Sequence, residues 1–137
     1  MPKLAVNGVE LDYIDVGEGA ETILFSHGFL MSKDLFAPQI AALKDRYRCV
    51  AYDHRGQAQS EVTASGYDMD TVAEDAAALI EALEIGPCHI VGLSMGGFVG
   101  MRLGARRPDL VRSLVLLDTS ARVDPERLKN MALGLIA

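Results

Sequence analysis

The feature that most constrains the fold is an alternation of short apolar runs with helical patterns along the chain. Four runs are largely apolar and lack the alternating polar positions of a half-exposed strand; they cover residues 22–25, 48–52, 88–91 and 112–117. Such runs are typical of parallel strands that are buried on both faces of a sheet. Parallel neighbours need crossover connections, which place helices on the faces of the sheet. We therefore predict an α/β fold with a mostly parallel sheet and helices on both faces.

The first sixteen residues indicate a different kind of pairing. Residues 3–6 and 9–16 flank an Asn7-Gly8 pair, and the longer segment has apolar residues at alternating positions. Asn-Gly favours the tight turn of a β-hairpin. We expect an antiparallel hairpin that forms the amphipathic edge of the sheet.

Helices are predicted where apolar residues recur three and four positions apart; these segments cover residues 35–43, 72–83 and 95–107. For the middle helix, Asp70 or Thr71 is the predicted N-cap, and Glu74 would complete a capping box. Gly86-Pro87 is the predicted stop signal. A further helix is expected over residues 124–137, where an Asp-Pro pair precedes apolar residues at helical spacing.

Composition and charge narrow the classes of partner. The chain has 137 residues, of which 50% are hydrophobic, and this suits a single domain with a buried core. Its net charge of −6 disfavours nucleic acid and anionic membranes, because both are bound through clustered Lys and Arg. The nearest basic cluster, Arg102, Arg106 and Arg107, has the spacing of a solvated helix face. Neither a secretory signal nor a run of about 18 apolar residues is evident, so we expect a cytoplasmic protein.

The segment Gly92-Leu93-Ser94-Met95-Gly96 carries the clearest chemical signal. It follows a predicted buried strand and opens a predicted helix. In that position a G-x-S-x-G pattern forms a strained elbow that exposes the serine hydroxyl, and its glycines avoid collisions between a Cβ and the neighbouring backbone. The pattern alone is frequent and also fits a glycine-rich turn with a surface serine. The strand before it and the helix after it favour Ser94 as a nucleophile.

A second motif, Ser26-His27-Gly28-Phe29, ends the first buried strand. A serine nucleophile needs backbone N–H groups that face the developing oxyanion, and a turn at this place can supply one of them. We predict that the N–H groups of Phe29 and Met95 form the oxyanion hole. For His27 we favour bracing of the turn through hydrogen bonds; the alternative is a direct place in the substrate pocket, for which Leu30 is also a candidate.

Polar residues also follow the next strand, in the segment Asp53-His54-Arg55-Gly56-Gln57-Ala58-Gln59-Ser60. They stand at the carboxyl end of a strand, where open α/β sheets bind ligands. We favour a structural role for this segment, as a hydrogen-bonded loop that supports the oxyanion turn, over direct contact with a ligand.

The elbow around Ser94, the turn at residues 26–29 and the loop that begins Asp53-His54-Arg55-Gly56, in this order, resemble the α/β-hydrolase superfamily. Within it, the chain resembles most the 3-oxoadipate enol-lactonases, the cofactor-free haloperoxidase-like enzymes and small carboxylesterases. The resemblance implies hydrolysis of an ester, lactone or similar small acyl substrate, with no metal and no organic cofactor. The serine argues against the dehalogenase and epoxide-hydrolase branches, which have an aspartate there. Ala58 departs from the family pattern, because many members have glycine at this position.

The resemblance also implies a strand order in which the strand with Phe25 lies between those with Cys49 and Cys88. Two strand spacings are about 9 to 10 Å, too far for a disulfide. We therefore expect two buried free thiols.

The family's catalytic order is serine, then acid, then histidine. Asp118, at the end of the last predicted strand, is a possible acid, although we favour a polar turn residue that closes the strand. The three histidines, His27, His54 and His89, all precede Ser94. The resemblance thus implies that the histidine comes from outside this sequence, and the acid also if it is not Asp118.

Members of the family continue with a mostly helical cap, two further strands and a helix. We expect residues 1–120 to be the N-terminal part of the hydrolase core and residues 121–137 the start of a cap helix, with the fold truncated before its last two strands. Residues 112–117 would then form a bare apolar edge, so we predict pairing with a complementary C-terminal half or self-association.

The leading functional hypothesis is a serine hydrolase that acts on a small ester or lactone. The alternative is a catalytically inert fragment or binding module that retains the fold. A nucleotide-binding protein is disfavoured, because no phosphate-binding glycine pattern follows the first buried strand.

Overall fold

A computed structural model of the chain describes residues 2–121, which form one mixed sheet with helices packed against it. The strands are β1 (Lys3–Val6), β2 (Val9–Val16), β3 (Thr22–Ser26), β4 (Arg48–Tyr52), β5 (Cys88–Leu93) and β6 (Val111–Leu117). The helices are α1 (Ala37–Leu43), α2 (Met69–Ala82) and α3 (Met95–Arg106), with 3₁₀ turns at Lys33–Phe36 and Pro108–Leu110.

The strand order is β1-β2-β4-β3-β5-β6. The β1–β2 and β2–β4 pairs are antiparallel, whereas β4–β3, β3–β5 and β5–β6 are parallel. This confirms the predicted α/β architecture, including the hairpin at the sheet edge and the position of β3 between β4 and β5. Cys49 and Cys88 lie on the two strands that flank β3, and both are buried free thiols, as predicted.

The central strands are buried on both faces, which explains their continuous apolar sequences. On one face, Leu24 and Ile90 belong to a core that includes Leu79 of α2 and Val99 of α3. On the other face, Phe25 belongs to a smaller core beneath α1, and its ring centroid lies 5.0 Å from that of Phe36. Adjacent residues of β3 thus point into different cores, as the pleat of a strand requires.

The start of α2 differs from the sequence-based prediction. Asp68, with an extended backbone, is the N-cap, and its side chain accepts a hydrogen bond from the Thr71 N–H at 2.9 Å. The predicted N-caps, Asp70 and Thr71, are wrong, and so is the capping box with Glu74. The reason is that Asp68 already supplies a carboxylate acceptor one residue before the helix, so the chain enters the helix earlier.

The other predicted helices need smaller corrections. The helix predicted over residues 35–43 is divided into a 3₁₀ turn and α1, and a proline occupies the first turn of α1. The helix predicted over 95–107 is confirmed as α3, which ends one residue earlier. The helix predicted over 124–137 lies outside the described residues.

Candidate active site

Ser94 stands at a sharp junction between β5 and α3. Its backbone has φ 51° and ψ −110°, a left-handed conformation that is unfavourable for a residue with a Cβ. The N–H of Ser94 donates to the carbonyl of Leu117 at 3.0 Å, and its own carbonyl accepts from Gly97 N–H at 2.9 Å and from the Thr119 hydroxyl at 2.8 Å. The strained junction is therefore held from both α3 and the end of β6.

The glycines beside Ser94 are required by close backbone approaches. A Cβ at Gly92 would lie 2.4 Å from the carbonyl oxygen of Gly96, and a Cβ at Gly96 would lie 1.9 Å from the carbonyl oxygen of Ser26. Both distances are far below any tolerated contact. The predicted reason for these glycines is confirmed, and the second distance shows that the elbow packs directly on the end of β3.

The turn after β3 lies against the elbow. A Cβ at Gly28 would lie 3.5 Å from both the Leu93 carbonyl oxygen and Ser94 Cβ. Phe29 follows Gly28, and Met95 is the first residue of α3, where backbone N–H groups lack partners within the helix. Among the residues that the structure describes, neither the Phe29 nor the Met95 N–H donates to a protein acceptor. The two predicted donors therefore belong to adjoining segments beside Ser94.

His27 braces this turn. Its ring is fully buried, Nε2 accepts a hydrogen bond from the His54 N–H at 3.0 Å, and Nδ1 donates to the Gly28 carbonyl at 2.6 Å. Because Nε2 is an acceptor, the imidazole is neutral, and burial lowers the pKa of His27 in agreement. These contacts fit the bracing role, and the ring has no exposed surface in this structure.

His54 completes a reciprocal link between the turns after β3 and β4. Its Nε2 donates to the His27 carbonyl at 2.8 Å, and the two ring centroids are 4.2 Å apart. Burial, together with the neighbouring His27, lowers the pKa of His54 to about 3. Both histidines therefore stay neutral near pH 7 and are engaged in structural contacts.

A buried lysine fixes the far end of the same segment. Lys33 Nζ lies 2.6 Å from Oδ2 of Asp12 and 3.1 Å from Oδ2 of Asp53, and all three side chains are at most 3% exposed. Burial alone would lower the pKa of Lys33, but the hydrogen bonds and charges of Asp12 and Asp53 outweigh it and raise the pKa. The Lys33 N–H also donates to Asp53 at 2.7 Å. The segment between His27 and Lys33 is thus fixed at both ends.

The loop after β4 is held by a second buried ion pair. The Arg55 guanidinium binds Asp75 of α2 through two hydrogen bonds, of 3.0 Å and 2.8 Å. Ala58, the position where the sequence departs from the family pattern, has φ 47°, a conformation that glycine adopts without strain. The contacts support the predicted structural role of this loop.

Sequence reasoning did not identify Lys33, Asp12 or Asp75. Each becomes significant only because its partner comes from a distant part of the chain, 20 positions away in the Lys33–Asp53 and Arg55–Asp75 pairs. A lysine before a helical pattern carries no sequence signal that it will be buried.

A cavity of about 420 Å³ opens beside the turn after β3. Leu30, the predicted pocket residue, lines it and is 61% exposed. The other lining residues come from the same turn and from the loop after β4; they are Met31, Ser32, Gly56, Gln57 and Ala58.

The predicted acid and the third histidine occupy different ends of the sheet. Asp118 directly follows Leu117, whose carbonyl accepts the Ser94 N–H, and it has φ 45°. His89 lies at the start of β5, where Nδ1 is 2.6 Å from the Ser113 hydroxyl and Nε2 is 3.3 Å from Glu21. His89 therefore lies at the end of β5 opposite to Ser94. Within residues 2–121, no histidine hydrogen-bonds to Ser94.

The same part of the chain, residues 2–121, contains no cluster of three His, Cys, Asp or Glu side chains suited to a metal ion. Its helices are all too short or too polar to cross a membrane.

Comparison with known proteins shows which family model and which relatives this chain matches. A family model described as the alpha/beta hydrolase fold matches residues 21–134. The mouse serine hydrolase BPHL is 38% identical over 129 residues, which are 90% of this chain and 44% of that protein. A 2-(acetamidomethylene)succinate hydrolase of Mesorhizobium japonicum is 32% identical over 126 residues, 92% of this chain and 45% of that protein.

A solved structure shows the same likeness in three dimensions. The enol-lactonase from Burkholderia xenovorans superimposes with a TM-score of 0.86 at 32% identity, over 98% of this chain and 58% of that one. The chain thus spans less than half the length of the two curated relatives and somewhat more than half of the solved one.

Proposed function

Since this chain belongs to the α/β-hydrolase family, we propose that it is the nucleophile-bearing part of a serine hydrolase that acts on a small ester, lactone or similar acyl compound. The observation that carries the proposal is the strained conformation of Ser94, which hydrogen bonds from α3 and from the end of β6 hold in place and which the flanking glycines make sterically possible. Strain of this kind persists at functional sites where the surroundings enforce it.

In the proposed reaction, Ser94 Oγ attacks the acyl carbon while its proton passes to a histidine. The carbonyl oxygen gains negative charge, which the N–H groups of Phe29 and Met95 stabilise by hydrogen bonds. The first turn of α3 favours this negative charge as well. The leaving oxygen takes the proton from the histidine, and water then hydrolyses the acyl-enzyme by the same steps.

The histidine of this reaction is proposed to come from outside residues 2–121. His27 and His54 are occupied as braces, and His89 lies at the opposite end of the sheet. Asp118 is a candidate for the acid because it adjoins the elbow through the Leu117–Ser94 hydrogen bond. Its left-handed backbone equally suits a turn residue that closes β6.

Exposed apolar side chains on the turn after β3 support a small acyl substrate. Phe29, Leu30 and Met31 are 43%, 61% and 43% exposed, respectively, on the turn next to Ser94. These side chains would contact apolar parts of an ester or lactone. The solved structure that superimposes on this chain is that of an enol-lactonase, and the name of that enzyme is consistent with this substrate class.

The proposal is tested with a serine-directed fluorophosphonate and a nitrophenyl ester. In the hydrolase completed by the part that supplies the histidine, we expect labelling and turnover that are abolished by Ser94→Ala, whereas the isolated chain should be inactive or weak. Ser113→Ala is the matched control, because Ser113 also lies beside a histidine but at the far end of β5 and β6. Labelling that persists in Ser94→Ala would contradict the proposal. An absence of both labelling and turnover would favour the alternative, an inert fragment or binding module.

We also propose that the β6 edge is covered, either by a complementary C-terminal half of the hydrolase core or by a second copy of the chain. Val115, Leu116 and Leu117 are 46%, 41% and 43% exposed, although β6 has the apolar sequence of a strand buried on both faces. Light scattering after size exclusion is expected to show self-association of the isolated chain. Val115→Lys should reduce it, whereas Val62→Lys, at a site 77% exposed elsewhere, should not. A stable wild-type monomer would count against this proposal.

A further inference from the structure

A glutamine in the loop after β4 contacts both segments that carry the proposed oxyanion donors. Gln57 Oε1 accepts a hydrogen bond from the Leu30 N–H at 2.9 Å, and its Nε2 lies 3.9 Å from Sδ of Met95. We propose that Gln57 is a positioning residue that holds the Phe29 and Met95 N–H groups in register with each other. This inference rests on the proposed function, because it concerns the same oxyanion hole.

The backbone of Gln57 is itself fixed. Its N–H donates to the His54 carbonyl at 3.0 Å, and its carbonyl accepts from the Ser60 N–H at 3.1 Å. The flanking residues, Gly56 and Ala58, have φ of 74° and 47°, so the chain curls tightly around this position. The Gln57 side chain therefore extends from a rigid loop toward the turn and the elbow.

The contact with Leu30 bears on the first donor. Leu30 has φ 59°, within a tight turn that is closed by a hydrogen bond from Met31 N–H to the Gly28 carbonyl at 3.1 Å. This conformation is unfavourable for leucine, so the turn needs support from outside. The hydrogen bond to Gln57 Oε1 provides it and orients the peptide group between Phe29 and Leu30. Because the Phe29 N–H is one peptide away in the same turn, rotation of that peptide would also redirect the Phe29 donor.

The contact with Met95 follows from the first one. With Oε1 bound to the Leu30 N–H, the amide NH₂ of Gln57 must face the other way, toward the thioether of Met95, which is a weak acceptor. Met95 is the first residue of α3 and directly follows Ser94. One planar amide thus spans the gap between the turn and the elbow.

The other braces of this segment act at its ends. His27 is tied to His54, and Lys33 is tied to Asp53. Between these fixed points, His27 donates to the Gly28 carbonyl, and Gln57 accepts a hydrogen bond from the next N–H but one, that of Leu30. Loss of this contact would free the peptide between Phe29 and Leu30, while the adjoining Gly28–Phe29 peptide, which carries the donor, would keep only the hydrogen bonds to its Gly28 carbonyl.

The inference is tested by measuring the turnover of Gln57→Leu in the active enzyme, with Gln59→Leu as the control. Gln59 belongs to the same loop but exposes its side chain. We expect kcat of Gln57→Leu to fall by about 10- to 100-fold with KM changed less than about twofold, because a misplaced oxyanion donor weakens binding of the transition state and not of the substrate. An unchanged kcat, or a loss confined to KM, would overturn the inference.

A second measurement does not depend on turnover. Amide hydrogen exchange of Leu30 in the 137-residue chain should accelerate at least about tenfold in Gln57→Leu and remain unchanged in Gln59→Leu. Gln57→Glu keeps an acceptor oxygen and should restore the protection. Equal protection of Leu30 in the wild type and in Gln57→Leu would overturn the inference.

The two proposals fail in different ways. If Ser94→Ala keeps full turnover, the proposed function itself fails. If Ser94→Ala is inactive while Gln57→Leu is as active as Gln59→Leu, only the positioning role of Gln57 fails.

Discussion

Replacement of Lys33 by methionine should destabilise the fold strongly, because it removes the cation from between two buried carboxylates. Asp53 would keep hydrogen bonds from the backbone N–H groups of residue 33 and of Gln59, at 2.7 Å and 3.1 Å. Asp12 is more dependent on the lysine: its Oδ2 is buried, lies 2.6 Å from Lys33 Nζ and has no other hydrogen-bond partner among the described residues. Most of the destabilisation by Lys33→Met should therefore come from the unpaired carboxylate of Asp12.

Breaking a buried ion pair by removal of one partner costs about 3 to 5 kcal/mol. With an unfolding entropy typical of a chain of 137 residues, this corresponds to a decrease in Tm of about 10 to 17 °C. Methionine has a similar length and leaves little empty volume, so the effect reports the lost charge and not a cavity.

The measurement is urea and thermal unfolding followed by circular dichroism, with Lys44→Met as the control, since Lys44 is exposed at the end of α1. The double variant Lys33→Met with Asp12→Asn should recover part of the loss, because asparagine carries no charge to bury. The reasoning is refuted if Lys33→Met and Lys44→Met unfold within about 1 kcal/mol of each other, the spread expected of surface changes.

Three further predictions concern the elbow, a buried histidine and the two thiols. Gly96→Ala should prevent normal folding of the elbow, because its Cβ would lie 1.9 Å from a carbonyl oxygen of β3. Gly100→Ala should be tolerated, since the nearest contact of its Cβ would be at 3.4 Å. The soluble yield and the Tm of the two variants test this prediction. Acid should destabilise the protein, because the pKa of His54 in the folded state, about 3, lies below its ordinary value of 6.5. The contribution of neutral His54 to the free energy of unfolding is therefore complete above about pH 6.5 and decreases as the pH falls toward 3. The expected loss is about 2 to 3 kcal/mol by pH 4.5, and equal urea midpoints at pH 7 and pH 4.5 would contradict it. Burial raises the pKa of the Cys49 thiol and raises that of the Cys88 thiol to about 12. Both thiols should therefore react with a thiol reagent only after unfolding, and rapid reaction of the native protein would disprove this.

The sheet and the elbow were predictable because their causes are local. A strand buried on both faces needs apolar residues at every position, so β3 and β4 carry their assignment in their own sequences. Gly92 and Gly96 are likewise tied to the sharp turn at Ser94, since a Cβ at either position would overlap backbone atoms. A strand, a serine between glycines and a helix therefore specify the junction before any tertiary contact is known.

The cap of α2 was not predictable in the same way. Asp68, Asp70 and Thr71 are all residue types that cap helices, and only the backbone conformation selects among them. The turn after β3 is an intermediate case. Its location was evident from the sequence, but the hydrogen-bonded arrangement of His27 and His54 depends on the parallel pairing of β3 with β4, which brings the two strand ends together.

By itself the sequence determined the sheet, its hairpin edge, and the place of Ser94 at an elbow, because periodicity and steric exclusion act over a few neighbouring residues. Only the tertiary structure decided which polar residues are buried and what they hold. Lys33 gains its role from two carboxylates at distant positions, and Gln57 gains its role from a turn 27 positions away in the chain. Buried polar contacts depend on which strands and loops lie side by side in the fold, and a single sequence does not show which distant residues these are.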